Sequence, residues 1–249
     1  MELTVEQQIF DQVKKSHKIL IVLPQSLTAD SVASGLALKL FLTKMQKEAQ
    51  VATSGQVPKA LAFLPGINSI QKEIASVKSF VISVDTAVKK LEEVSYQTAG
   101  EKVNIYLKSK GPQFAQEDLS FSTEKFPVDL VIVLEAKSME DLGALQENNT
   151  DFFFETPKIN IDHQAGNEYF GGINLVDITA TSVAEILAEL FQKYEEQLLD
   201  EDISTCLLTG IIDKTDSFQR VHTTPKAFHK ASEAKECATP AAAPAPAAK

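Results

Sequence analysis

Four side chains in this 249-residue sequence stand where they could hold a divalent cation beside a phosphate: Asp30, Glu135, Asp162 and His163. Each follows a short apolar run. Asp30 comes after Ile19-Leu20-Ile21-Val22-Leu23, Glu135 directly follows the run over 128–134, and Asp162-His163 directly follow Ile159-Asn160-Ile161. Carboxylate oxygens and an imidazole nitrogen suit Mn²⁺ or Mg²⁺. Acidic residues at strand ends also serve as turns and helix caps, so the grouping carries the suggestion and no single residue does. His17, His222 and His229 lie beside no other candidate ligand and read as surface or boundary histidines.

The elements that must position these groups follow from periodicity. Helices are predicted over 5–16, 33–47, 139–146, 184–194, 201–212 and 225–236. Buried strands are predicted over 18–23, 128–134 and 158–161, with short strands over 51–53 and 60–64 and a turn at Pro65-Gly66. The stretch from 79 to about 125 differs. Its runs over 80–84, 93–98 and 103–107 are β-branched or alternating, and Ala99-Gly100 joins the last two tightly, which predicts an antiparallel β insertion. Strands alternating with helices imply an α/β fold, a doubly wound and mostly parallel sheet. In such sheets ligands bind beyond the carboxyl ends of the strands, so the loops after Leu23, Leu134 and Ile161 should converge. The expected organisation is one α/β domain over 1–236 carrying the insertion, then an Ala/Pro-rich tail over 237–249.

Composition narrows the function classes. Hydrophobic residues make up 44% and charged residues 23%, an ordinary globular mix. A formal charge of −10 with no dense Lys/Arg cluster argues against strong nucleic-acid binding, yet it does not exclude one small phosphate ligand. No apolar run reaches membrane-spanning length, and the acidic, amphipathic start lacks the features of a secretory signal. A cytoplasmic location is therefore expected. Cys206 and Cys237 suggest no disulfide framework.

The segment Ile159-Asn160-Ile161-Asp162-His163-Gln164-Ala165-Gly166-Asn167-Glu168-Tyr169-Phe170 resembles the third motif of the DHH phosphoesterases. That superfamily includes RecJ-like exonucleases, oligoribonucleases and family II pyrophosphatases. Ala29-Asp30-Ser31-Val32-Ala33-Ser34-Gly35 resembles the first motif, and Leu208-Thr209-Gly210-Ile211-Ile212 with Thr215 and Ser217-Phe218 the fourth. The resemblance covers about residues 18–235, interrupted by the insertion.

The departures bear on activity. The resemblance implies a histidine and two aspartates in the first motif, and these positions read Pro24, Thr28 and Asp30. The second motif's aspartate falls on Glu135. The third motif's Asp and first His are Asp162 and His163, and its second His, usually near the scissile phosphate, is Gln164. The fourth motif's aspartate falls on Lys214. By resemblance, Asp30, Glu135 and His163 are the ligands of any remaining metal, Asp162 stands behind them, and His163 and Gln164 are the catalytic candidates.

Two unit charges ~4 Å apart in an effective dielectric of ~20 interact by roughly 4 kcal/mol. A dication beside Lys214 would meet about twice that in repulsion, whereas the ammonium itself would neutralise the carboxylates. Two-metal hydrolysis needs both ions. A one-residue slip would put Asp213 in the site instead, or Lys214 could point away and leave one metal. Lys214, Gln164, Ser31 and Ser34 could also bind phosphate without hydrolysis. Family nucleases carry a further C-terminal domain, which the sequence after about 238 is not expected to provide. The leading expectation is a silent DHH-type domain, without a cofactor, that binds a small phosphate ligand or a protein partner. A homodimer is compatible with the sequence. The competing one is a Mn²⁺- or Mg²⁺-dependent phosphoesterase acting on short oligonucleotides or nucleotide phosphates. A scaffold tethered by its tail is the third.

Overall fold

The run Ile19-Leu20-Ile21-Val22-Leu23 can be apolar on both sides only in a sheet whose two faces are covered, and it forms the centre of one. A computed structural model describes residues 3–74, 79–124, 128–220 and 223–238. His222, Pro127 and the Ala/Pro segment over 239–249 lie outside the described residues. In chain order the elements are α1 (Val5–Lys15), β1 (Lys18–Val22), α2 (Ala29–Lys44), β2 (Glu48–Ala52), β3 (Ile70–Gln71), β4 (Ser79–Val84), β5 (Leu91–Ala99) and β6 (Lys102–Ser109). They continue with β7 (Leu119–Glu124), β8 (Leu130–Leu134), α3 (Ala144–Glu147), α4 (Thr150–Glu155), β9 (Lys158–Asp162), β10 (Ile173–Val176), α5 (Val183–Glu195), α6 (Glu201–Thr215) and α7 (Pro225–Ala238).

Six strands form one parallel sheet in the order β10-β9-β8-β1-β2-β3. Alternate strand residues point to opposite faces. Ile19, Ile21, Ile132 and Ile161 join the core built with α1, α2, α5 and α6, while Leu20, Val22, Val131 and Val133 point the other way and are equally buried. The expected α/β fold with a mostly parallel sheet and an antiparallel insertion is what forms. No helix of the described residues is long and apolar enough to cross a membrane.

Packing divides the chain into two units, residues 76–127 and the remainder. Within the insertion, β4 pairs with β7 and β5 with β6, both antiparallel. The Asp85 amide, donating to the Asp118 carbonyl at 2.8 Å, continues the β4–β7 ribbon beyond the Val84–Leu119 pair.

Several expectations need correction. Residues 60–64 are not a strand: Pro58 precedes a 3₁₀ turn at Lys59–Leu61, and Gly66 adopts φ +79°. Pro58 has no amide to offer a ladder, and the left-handed glycine closes the turn. The helix over 139–146 breaks into a 3₁₀ turn, Met139–Leu142, and α3, because Gly143 turns to φ +56° between them. Helix α2 begins four residues early, at Ala29, because Thr28 caps it by accepting from the Ser31 amide. The elements β3, β7, α4 and β10 had no sequence prediction.

Close helix packing sets the floor of the site. Phe41 of α2 stacks on Phe191 of α5 with ring centroids 3.8 Å apart. Gly210 of α6 approaches both helices so nearly that a Cβ would lie 2.6 Å from Asp30 Oδ1 and 2.7 Å from the Ala184 Cβ. Neither neighbour is the free end of a flexible chain. Gly210→Val should therefore lower the unfolding free energy by about 2 kcal/mol through overpacking, measured by urea denaturation. Unchanged stability would show that α6 can back away.

Candidate functional site

The strand order runs outward from β1 through β2 and β3 on one side and from β8 through β9 and β10 on the other. The crevice at such a reversal lies beyond the carboxyl ends of β1 and β8. Asp30 enters it from the first turn of α2, Glu135 directly follows β8, and His163 directly follows β9. These three offer ligand atoms that all lie within 4.8 Å of one another. Glu135 adopts φ +56°, a left-handed conformation that costs a non-glycine residue about 1–2 kcal/mol. Its amide donates to the Ile161 carbonyl at 3.0 Å, so β9 helps to hold the turn. Strain of this kind gathers at functional sites.

Each carboxylate is already engaged by the chain's own donors. Asp30 is fully buried against the N-terminus of α5. Its Oδ2 accepts from the Val183 amide at 2.8 Å, and Oδ1 accepts from the Ala184 amide and the Ser34 hydroxyl, both at 3.0 Å. On Glu135, Oε2 accepts from the Thr28 hydroxyl at 2.6 Å, and Oε1 is ion-paired with the Lys214 ammonium. His163 Nε2 lies 3.9 Å from the same Oε1 and is buried without a hydrogen-bond partner among the described residues. An orphaned imidazole nitrogen beside two carboxylates is what a metal or an acceptor ligand would use.

The charges explain one another. Burial pushes the Asp30 carboxyl up to about 6, with the neighbouring Glu135 charge adding to it. The Val183 amide, Lys214 and the Ala184 amide oppose the rise. Burial also works to raise Glu135, but His163, Lys214 and Thr28 together overcome it and hold this carboxyl below its ordinary value. One member of the pair is thus kept ionised at the expense of the other.

The remaining candidates have definite places. Asp162 is fully buried and organises its own loop: Oδ1 accepts from the His163 amide at 2.7 Å and the Gln164 side chain at 3.3 Å, and Oδ2 from Asn167 at 2.8 Å. Gln164 also donates to the Glu135 carbonyl at 3.4 Å. The Ser31 hydroxyl donates to the Thr28 carbonyl within the α2 cap, and Ser34 is held by Asp30. Pro24 is buried, its carbonyl accepting from Thr53 at 3.0 Å. Asp213 is exposed, whereas Lys214 is half-buried and reaches Glu135. His17 and His229 lie outside the crevice, each beside a glutamate on an exposed surface. Cys206 is a buried thiol in α6, pushed up to about 12 by burial.

Sequence reasoning missed Asn167. Its side chain donates to the Ala136 carbonyl and to Asp162 and accepts from Asn160, tying β9 to the chain after β8. Its place in the segment that begins with Ile159 was the available signal.

No family model matches the chain. It is 35% identical over 75 residues to the bifunctional oligoribonuclease and PAP phosphatase NrnA of Thermus thermophilus. It is 29% identical over 132 residues to a protein of Streptococcus mutans named as a probable bifunctional oligoribonuclease and PAP phosphatase NrnA. These matches take in 30% and 53% of this chain but 23% and 40% of the relatives, so the chain matches less than half the length of either. Among solved structures, an exopolyphosphatase-related protein from Bacteroides fragilis superposes with a TM-score of 0.68 at 15% identity, over 94% of this chain and 57% of that one. A putative family II inorganic pyrophosphatase from Methanococcus jannaschii gives 0.52 at 17% identity, over 88% and 55%. The two partial curated matches support a DHH superfamily relationship, and the two solved structures share the fold.

A carboxyl whose folded pKa lies above its unfolded value favours the folded state most below the unfolded value. Asp30's contribution should therefore grow as pH falls from about 7 to 4. The stability of the wild type relative to Asp30→Asn should rise over that interval by up to about 3 kcal/mol. Denaturation at a series of pH values reads this, and a difference independent of pH would rule it out.

Proposed function

We propose that this chain is a DHH phosphoesterase-like protein in which an internal ion pair stands in for the metals, leaving a non-hydrolytic binding module. The observation that carries this reading is Glu135, both of whose oxygens are occupied, by Lys214 and by Thr28. Thr28 and Lys214 are two of the positions where the resemblance would put metal ligands, and Pro24 is a third with no ligand to offer. With Asp30 committed to three donors, the side chains as they stand do not fit a pair of dications. A single ion would first have to displace an ammonium, against a repulsion of several kcal/mol.

Binding chemistry survives this loss. Lys214 and His163 stand on the same Glu135 oxygen and can donate to a phosphate oxygen, as charge-assisted hydrogen bonds require. A small phosphate ligand is therefore the preferred occupant of the crevice, and a protein partner elsewhere on the chain is compatible with it. Asp162, Gln164 and Asn167 position the His163 loop on this reading. The net negative charge supports neither strong nucleic-acid binding nor a membrane surface, and a cytoplasmic location fits the reading.

The orphaned His163 Nε2 favours one alternative. Were Lys214 to swing out, Asp30, Glu135 and His163 would offer three ligands to one Mn²⁺ or Mg²⁺, as a phosphoesterase acting on short oligonucleotides or nucleotide phosphates would need. Metal analysis and thermal melting separate the readings. The wild type should carry no stoichiometric Mn²⁺, should not be stabilised by it, and should not turn over a short RNA or PAP. Lys214→Asp should gain a Mn²⁺-dependent rise in Tm, equivalent to about 3 kcal/mol when the ion is at a hundred times its Kd. Two tightly bound ions per wild-type chain would overturn the proposal.

A further inference from the structure

The insertion carries a surface that the crevice does not use. Cross-strand pairing in the β5–β6 ribbon sets Val94 opposite Leu107, Tyr96 opposite Ile105 and Thr98 opposite Val103. Directly opposed residues share a face, so these six side chains form one side of the ribbon. The other side carries Ser95 opposite Tyr106, Gln97 opposite Asn104, and the Glu93–Lys108 ion pair. The ribbon is therefore amphipathic, and its apolar side is exposed along with its polar one. Val94 is 58% exposed, Tyr96 77%, Val103 62% and Ile105 49%.

A two-stranded ribbon is marginal in water unless a third strand or another layer covers its apolar face. Among the described residues no further strand pairs with β5 or β6. Beside the face lies an open groove of about 750 Å³, whose apolar lining is Ile105, Leu107, Phe114 and Leu119. The face thus offers a projecting aromatic ring, Tyr96, and a neighbouring depression that is part apolar and part polar, with Glu92 and Lys108 in its lining.

We propose that this face docks a second copy of the chain, the two ribbons meeting about a two-fold axis with Tyr96 of each seated in the groove of the other. Charge selects that occupant. The whole chain carries −10, but residues 76–127 hold seven lysines against seven acidic residues, so the insertion contributes none of the net charge. The rest of the chain carries the whole of the −10, so two copies approaching through it meet net like charge. Approaching through the insertion, they meet at a neutral surface whose apolar face holds no charged side chain. A two-fold contact must be self-complementary, residue i meeting j and j meeting i, and a knob beside a hole whose two charged lining residues, Glu92 and Lys108, are of opposite sign satisfies that condition. A nucleic acid would need a basic face that the insertion lacks. Tyrosines in such pockets often dominate the binding energy. This inference does not depend on how the crevice is read.

Sedimentation of the full chain over a range of concentrations tests it. The wild type should show twice the monomer mass and dissociate on dilution. Tyr96→Thr with Ile105→Thr keeps strand-forming residues and should raise the dissociation constant about tenfold or more, with an unchanged circular dichroism spectrum. Tyr106→Thr, on the opposite side, should leave the dimer intact. Tyr96→Thr alone serves should the double variant not fold. A wild type monomeric at every concentration, as expected if the face takes a different protein or none, would overturn the proposal. So would a correctly folded Tyr96 variant that dimerises as tightly as the wild type.

Discussion

The contact between Glu135 and Lys214 is the constraint on which the rest of the crevice depends. Glu135 is a carboxylate with its side chain 3% exposed, held in a left-handed conformation at the end of a central strand. A charge so placed must be compensated where it stands, because water cannot reach it. In a metal site the compensation would come from an ion. Here it comes from an ammonium on α6 and a hydroxyl at the start of α2, so three elements distant in sequence are locked to one side chain.

That arrangement governs its surroundings. Asp30 cannot share the ammonium fully, and it is stabilised instead by two amides at the N-terminus of α5 and by Ser34. Helix N-termini favour anions, and this one is already filled by the protein's own carboxylate. His163 gains no such partner. Removing either member of a buried pair strands the other without compensation, so Lys214 and Glu135 depend on each other. On the proposed reading, Lys214 and Thr28 place donors at two positions where the resemblance would put ligands for metal.

The insertion obeys a different constraint. Its ribbons are too narrow to bury a core, and their alternating pattern leaves one apolar side facing water. Its neutrality, inside a chain with a strong negative charge, marks it as the part that copies of the protein could bring together at least cost.

Much of this was legible in the sequence. Runs such as Leu20-Ile21-Val22 and Val131-Ile132-Val133 could only be buried strands, and a parallel sheet brings the loops after them to one edge. Asp30, Glu135 and His163 were therefore legible as a group. The edges of elements were less so: Thr28 moved the start of α2, and Gly143 broke a helix, because capping and left-handed turns depend on one residue's geometry and not on periodicity. Three further matters were decided only by tertiary structure. Successive helix positions differ by about 100° in direction, so whether Asp213 or Lys214 faces the crevice depended on how α6 packs. Gly210, one turn before Lys214 and pressed against Asp30, decided it. The bond from Thr28 to Glu135 joins residues 107 positions apart, and that proximity exists only once β1 and β8 pair. The Asn167 side chain meets Asn160, Asp162 and Tyr169 within its own segment, but its bond to the Ala136 carbonyl likewise exists only in the folded chain. Sequence determines which side chains are available and which strands must be buried, because hydrophobic periodicity is local. Which donor meets which acceptor is set by packing, because those distances are fixed only when the helices close on the sheet.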